Sequence, residues 1–125
     1  MIKAMGTAYR REDFTPEEFI GYWLDVHAPI SAKAPGLRGY VVNEVVRRLQ
    51  GDLVSEAFVE QWYEDEAAFE ASRNSPEVKA AWADVENYAR TDGTFWLVKE
   101  HVIIPPPVRG LGGEAARRQG GKKSS

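Results

Sequence analysis

The 125-residue chain contains no cysteine, which excludes disulfides, iron–sulfur clusters, thiolate zinc sites and a cysteine nucleophile. It also lacks any run approaching the ~18–20 apolar residues that a membrane span requires. The first nine residues are too short and too polar for a signal peptide, and they are typical of a strand. We therefore expect a cytoplasmic protein that does not bind membranes.

The formal charge of −3 is unevenly distributed along the chain. Residues 105–125 hold five Arg or Lys against one Glu, a net of +4, so residues 1–104 carry −3 − 4 = −7. Such an acidic body is poorly suited to nucleic acid. The 105–125 segment is rich in Pro, Gly, Lys and Arg and cannot bury a core. We predict one domain at residues 1–104, followed by a disordered tail.

The residue pattern predicts four strands, at residues 1–9, 39–48, 56–64 and 94–104. A first helix begins at the capping box of Thr15 and Glu18, runs to about Ala34 and is kinked at Pro29. A short helix at 65–72 precedes a second main helix that begins at Pro76. The order βαββαβ indicates an α+β, ferredoxin-like fold, whose four-stranded antiparallel sheet carries the helices on one face.

The predicted sheet is apolar on both faces, because Val41 and Val42 point in opposite directions, as do Leu97 and Val98. Helices on one side leave the other face as a large exposed apolar patch, which soluble monomers rarely tolerate. A second copy of the chain packed against that face is the simplest cover, so we expect a homodimer.

Three motifs follow one another between residues 15 and 40: T-P-E-E-F, then Y-W-L-D-V-H-A-P, then P-G-L-R-G-Y. Together with a late E-H-V at residues 100–102, they resemble the EthD-like family of dimeric α/β-barrel proteins. The resemblance covers about residues 1–104. It implies a dimeric α/β barrel and a chemistry that generally uses no metal or organic cofactor.

His27 is the first candidate catalytic residue, because helical spacing places it at the edge of the buried stripe formed by Phe19 and Trp23. Imidazole exchanges a proton near neutral pH, although a core histidine bonded to a backbone carbonyl fits the same pattern. Tyr40 opens the second strand and reaches the same cavity if its face looks toward the helices. Its hydroxyl would then donate to a developing enolate oxygen or orient a carbonyl; an aromatic residue that merely packs is the alternative. The resemblance implies that this His and Tyr act as a pair.

The remaining candidates are substrate-binding residues, namely Phe19, Trp23, Val42, Glu60 and Trp62. The aromatic and aliphatic members are expected to line the cavity. Glu60 lies between two aromatic residues, which predicts a raised pKa and an acid or base role. A structural ion pair is the alternative.

The sequence and the resemblance together favour a cofactor-independent enzyme that uses proton transfer on a small cyclic or aromatic-derived carbonyl compound. Isomerisation, cyclisation, dehydration and lactone rearrangement all remain open. A cofactorless monooxygenase of the same fold is one alternative. A non-catalytic protein that binds a small apolar or aromatic-derived ligand for a degradation or biosynthesis pathway is another.

Overall fold

The computed structural model describes residues 1–108 and 110. The strands β1–β4 are Ile2–Ala8, Gly39–Glu44, Ala57–Tyr63 and Phe95–Val98. The helices α1–α4 are Pro16–Tyr22, Ala28–Ser31, Glu66–Arg73 and Pro76–Val85. The α+β order expected from the sequence is confirmed. Residue 109 and residues 111–125 of the predicted tail lie outside the described part of the chain. No helix within that part is long and apolar enough to cross a bilayer.

The sheet is antiparallel with the order β2-β3-β1-β4, which is the ferredoxin-like arrangement. The two central strands present small or apolar residues to the helices, including Ala4, Ala57 and Val59. Phe19 and Trp23 pack against this face and form the hydrophobic core with it. The core therefore lies between one face of the sheet and the helices.

The first helical segment is interrupted by a π-helical turn at Trp23–His27, between α1 and α2. Thr15 begins α1 with the predicted capping box. Pro29 has no N–H to donate to the carbonyl four residues earlier, so a regular α-helix is broken before it. The structure therefore has a wider, π-helical turn just before Pro29, where the sequence predicted a kink. His27 is the last residue of this turn.

Two strands are shorter than the sequence predicted: β2 ends at Glu44 and β4 at Val98. Strand β4 is an edge strand that pairs with β1, and Val98 lies opposite Lys3. Val98 is the last residue of β4 in this pairing. The apolar residues 102–104 follow it and are exposed.

No helix of the described residues packs on the second face of the sheet, which is half-buried over much of its area. This face carries a ladder of large side chains from all four strands, among them Met5, Val41, Phe58, Trp62 and Trp96. Lys3 lies among them and pairs with Glu60 at 2.8 Å and Glu100 at 3.0 Å. We call this surface the open face.

Candidate functional site

A cavity of about 480 Å³ lies between the helices and the sheet. Its wall contains a small polar group formed by His27, Ser31, Tyr40 and Tyr88, and most of the remaining wall is apolar. This volume and this mixture of a few polar groups with an apolar lining are typical of small-molecule sites.

His27 forms a buried pair with Asp84, a residue near the end of α4. The His27 Nδ1 atom lies 2.9 Å from Asp84 Oδ2. The other carboxylate oxygen accepts hydrogen bonds from the Tyr22 hydroxyl at 2.7 Å and the Asn87 amide at 3.0 Å. Asp84 is therefore fixed by three donors, and it in turn fixes the imidazole ring.

The surroundings of this pair favour a neutral His27 imidazole and an ionised Asp84 carboxylate near neutral pH. Burial lowers the pKa of His27, although the hydrogen bond and the charge of Asp84 oppose this effect. Burial raises the pKa of Asp84, but the hydrogen bonds from Tyr22, Asn87 and His27 outweigh it and leave that pKa below its usual value. An ionised carboxylate only accepts hydrogen bonds, so Nδ1 of the neutral imidazole carries the proton and Nε2 keeps a lone pair. Nε2 has no hydrogen-bond partner within the described residues.

Tyr40 belongs to a chain of hydrogen bonds that uses up its proton. Trp23 Nε1 donates to the Tyr40 hydroxyl at 3.0 Å, and the Ser31 hydroxyl lies 3.0 Å from the same oxygen. Ser31 gives its single proton to the His27 carbonyl at 2.9 Å, so Tyr40 must donate to Ser31. Tyr40 therefore holds the backbone of His27 in place, and its proton is not free for the expected bond to a substrate oxygen.

The other predicted site residues lie at the cavity wall, in the hydrophobic core and on the open face. Trp23 lines the cavity as expected. Phe19 is fully buried in the core, with its ring 5.7 Å from that of Trp23. Val42 packs at the edge of the same core.

The prediction that Trp62 lines this cavity is wrong, and so is the substrate-binding role predicted for Glu60 there, because both residues lie on the open face. Side chains alternate along β3, and Val59 and Gln61 are the residues that reach the cavity. The expected rise in the pKa of Glu60 is also wrong. Burial does raise that pKa, but hydrogen bonds from Lys3 and Asn43 outweigh it and leave the pKa below its usual value.

Asp84 and Tyr88 are the site residues that the sequence interpretation missed. Trp82, the large aromatic residue of α4, is 54% exposed and therefore does not mark the buried side of this helix. The buried positions are Ala81, Asp84 and Tyr88, which are spaced by three and four residues. A carboxylate at helical spacing between an alanine and a tyrosine was the available signal.

Part of the exposed rim of the cavity is aromatic, although the exposed residues Arg73 and Arg90 line the cavity as well. Trp82 and Phe95 meet edge to face with their ring centroids 5.2 Å apart, and both line the cavity. Gly6 makes room for this arrangement, because a Cβ at that position would lie 2.5 Å from the Phe95 ring. The aromatic part of the rim and the polar inner wall suit a flat ligand with one polar end. Within residues 1–108 and 110, no three His, Asp or Glu side chains gather as metal ligands would.

The chain matches one protein-family model and is similar to several solved structures. The EthD domain model matches residues 11–92, more than half of the chain. An EthD family protein from Bacillus halodurans is 24% identical, with a TM-score of 0.69 over 81% of this chain and 100% of that one. SnoaB, a cofactor-independent oxygenase from Streptomyces nogalater, is 14% identical, with a TM-score of 0.59 over 84% of this chain and 97% of that one.

A dimeric ferredoxin-like protein of unknown function from Thermobifida fusca is similar as well. It is 18% identical, with a TM-score of 0.61 over 78% of this chain and 88% of its own. No curated protein sequence matches the chain. At these identities, the solved structures establish the fold.

Proposed function

The chain belongs to the EthD domain family, and from that premise we propose a cofactor-independent enzyme that moves a proton next to the carbonyl group of a small cyclic or aromatic-derived compound. The observation that carries this proposal is the buried pair of His27 and Asp84 at the cavity wall, 2.9 Å apart. A neutral imidazole oriented by a carboxylate is a competent general base near neutral pH.

In this reaction, His27 Nε2 takes a proton from the carbon next to the carbonyl. The C–H electron pair becomes the new C=C bond of an enolate, and the C=O π pair moves onto oxygen. The negative charge of Asp84 stabilises the imidazolium that forms. Return of the proton to a different carbon gives isomerisation, and loss of a leaving group gives dehydration. Both reactions balance with the one proton that His27 has taken from the substrate. Isomerisation returns it to carbon, and dehydration gives it to the departing hydroxide.

The test measures deuterium incorporation into 2-tetralone and α-angelica lactone in D₂O by proton NMR. These two probes present acidic C–H bonds beside a ketone and a lactone carbonyl. We expect the protein to accelerate exchange of at least one probe, and we expect His27→Asn to lower that rate by about 10²–10⁴-fold. His101→Asn is the matched control, because His101 is exposed and lies outside the cavity. Equal rates for the two variants would refute the proposal.

Cofactor-independent oxygenation is a second candidate function, because SnoaB, which shares the fold, is a cofactor-independent oxygenase. It begins with the same deprotonation. The carbanion then adds O₂, the peroxide takes up the proton held by His27, and loss of water breaks the O–O bond and leaves a new carbonyl group. An oxygen electrode separates the two candidates, because proton transfer alone consumes no O₂. Binding of the probes without exchange or O₂ uptake would instead support the non-catalytic ligand-binding role.

We also propose that the protein is a homodimer whose two sheets face each other across the open face. The aromatic and aliphatic ladder on that face supports this assembly. The dimeric ferredoxin-like protein from Thermobifida fusca, which shares the fold, is consistent with it.

A further inference from the structure

Three tyrosine side chains surround the pair of His27 and Asp84, and two of their hydroxyl protons are already engaged. Tyr22 donates to Asp84 at 2.7 Å, and Tyr40 donates to Ser31 at 3.0 Å. The hydroxyl of Tyr88 makes no hydrogen bond within the described residues. Buried tyrosine hydroxyls usually find a partner, so this free hydroxyl requires an explanation.

Tyr88 is held firmly beside the base. Its side chain is only 2% exposed, and its ring lies 4.9 Å from the imidazole of His27 and 5.0 Å from the ring of Tyr22. Its backbone is tied on both sides, since its N–H donates to Val85 and its carbonyl accepts from Arg11, each at 3.1 Å. The position of the hydroxyl is therefore set by the fold before any ligand arrives.

The Tyr88 hydroxyl opens onto the cavity. Among the described residues, Arg10 Nε is the one fully enclosed side-chain N or O atom that lacks a hydrogen-bond partner. The Tyr88 oxygen also lacks a partner, so it cannot be fully enclosed. Because Tyr88 lines the cavity that His27 lines, the accessible space next to its oxygen is the space a ligand would fill.

We propose that Tyr88 is a further catalytic residue, whose hydroxyl donates a hydrogen bond to the carbonyl oxygen of the substrate while His27 removes the adjacent proton. This proposal rests on the proposed function and narrows its substrate class. In this arrangement, the carbonyl oxygen of the substrate lies at the inner end of the cavity. The rest of the substrate extends toward Trp82 and Phe95 at the rim. The substrate is thus a planar aromatic or ring-fused ketone or lactone with its carbonyl at one end.

The chemistry favours Tyr88 over Tyr40 for this task. Tyr40 must give up its bond to Ser31 before it can donate elsewhere, whereas Tyr88 gives up nothing within the described structure. Burial raises the pKa of Tyr88, so its proton stays in place at neutral pH and is available to the enolate oxygen. A positioned donor to a developing oxyanion typically contributes about 10²–10³-fold in rate.

The first test compares Tyr88→Phe with the unaltered protein in the exchange assay on 2-tetralone. We expect the exchange rate to fall about 10²–10³-fold, while the melting temperature stays within about 2 °C because no internal hydrogen bond is lost. Tyr9→Phe is the matched control, because Tyr9 itself does not line the cavity and the phenyl ring keeps its contact with Arg90. This variant should keep the full rate. An unchanged rate in Tyr88→Phe overturns the proposal. So does a large drop in melting temperature, which would reveal a structural role for the hydroxyl.

A second arm measures calorimetric binding of 2-naphthol, a planar mimic of the enolate of 2-tetralone. In the proposed complex, its oxygen accepts a hydrogen bond from the Tyr88 hydroxyl, and its own hydroxyl donates a hydrogen bond to His27 Nε2. If the protein catalyses no exchange but binds 2-naphthol at least tenfold more tightly than Tyr88→Phe does, the enzyme proposal fails and the oxygen-binding role of Tyr88 survives as a binding role. Suppose instead that no exchange is seen and that the unaltered protein and Tyr88→Phe bind 2-naphthol with equal affinity. The Tyr88 proposal is then overturned as well. It is also overturned if no exchange is seen and the unaltered protein does not bind 2-naphthol.

Discussion

The His27 Nδ1 atom lies 2.9 Å from Asp84 Oδ2, and this contact joins the π-helical turn after α1 to the end of α4. The two residues are 57 positions apart in the sequence, so the contact exists only in the folded chain. It fixes the imidazole tautomer that leaves Nε2 able to accept a proton. The proposed chemistry depends on this one relationship.

Asp84→Asn should abolish most of the exchange activity by reversing that tautomer. Tyr22 and Asn87 both donate to the same oxygen of Asp84, so the oxygen of the new amide remains on their side. Its NH₂ group must then face His27 Nδ1 and donate to it, which moves the imidazole proton to Nε2. We expect a rate loss of about 10²–10⁴-fold in the 2-tetralone assay. An Asp84→Asn variant that retains more than half of the rate would contradict this account.

Folding stability should decline as the pH falls through the range in which His27 titrates. The unfolded chain binds a proton on this histidine near pH ~6.5, whereas burial lowers the pKa of His27 in the fold. Its contribution is therefore complete above about pH 6.5 and is lost below it. The lowered pKa of Asp84 removes further stability only in stronger acid.

Thermal melts at about pH 7.5 and pH 5.5 measure this effect. The fall in melting temperature between the two should be smaller in His27→Asn than in the unaltered protein. His101→Asn should keep the full pH dependence, because that residue is exposed. The same pH dependence in all three proteins would show that His27 is not buried in its neutral form.

Tyr40→Phe should affect stability more than chemistry. The change leaves Trp23 Nε1 without its acceptor and Ser31 without its donor, which costs about 1–3 kcal/mol. A loss of roughly 4–15 °C in melting temperature follows for a domain of this size. The exchange rate should fall less than in Tyr88→Phe; the reverse order would make Tyr40 the substrate donor.

The homodimer predicts twice the chain mass of 14.0 kDa in light scattering at micromolar concentration. Val41→Lys places a charge on the open face, in the edge strand β2, and should shift the protein toward monomer. Val46→Lys is the control, because Val46 is 94% exposed in the loop after β2. A monomeric unaltered protein, or a Val41→Lys variant that remains fully dimeric, would contradict the proposed interface.

Local signals predicted the fold well. The Thr15 cap, the proline at the start of two helices and the succession of strands and helices along the chain depend on neighbouring residues, and the structure contains all of them. The length of β4 could not be predicted in this way, because it depends on how far β1 extends beside it.

Only those parts of the site that depend on local signals could be predicted from the sequence. His27 belongs to a local motif, and its position at the cavity edge follows from helical spacing. Asp84 and Tyr88 are brought to His27 only by the packing of α4 and the turn that follows it. Glu60 and Trp62 were misplaced because alternation along β3 fixes which residues share a face, but not which face the helices cover.

The measurement that tests the central claim most directly is a proton–nitrogen NMR titration of the two histidine side chains. His101→Asn leaves a single imidazole and so identifies the signals of His27. We predict a neutral His27 at pH 7 with its proton on Nδ1, a bare Nε2 and a pKa below ~6.5. A proton on Nε2, or a pKa above that value, would contradict the assignment of His27 as the general base.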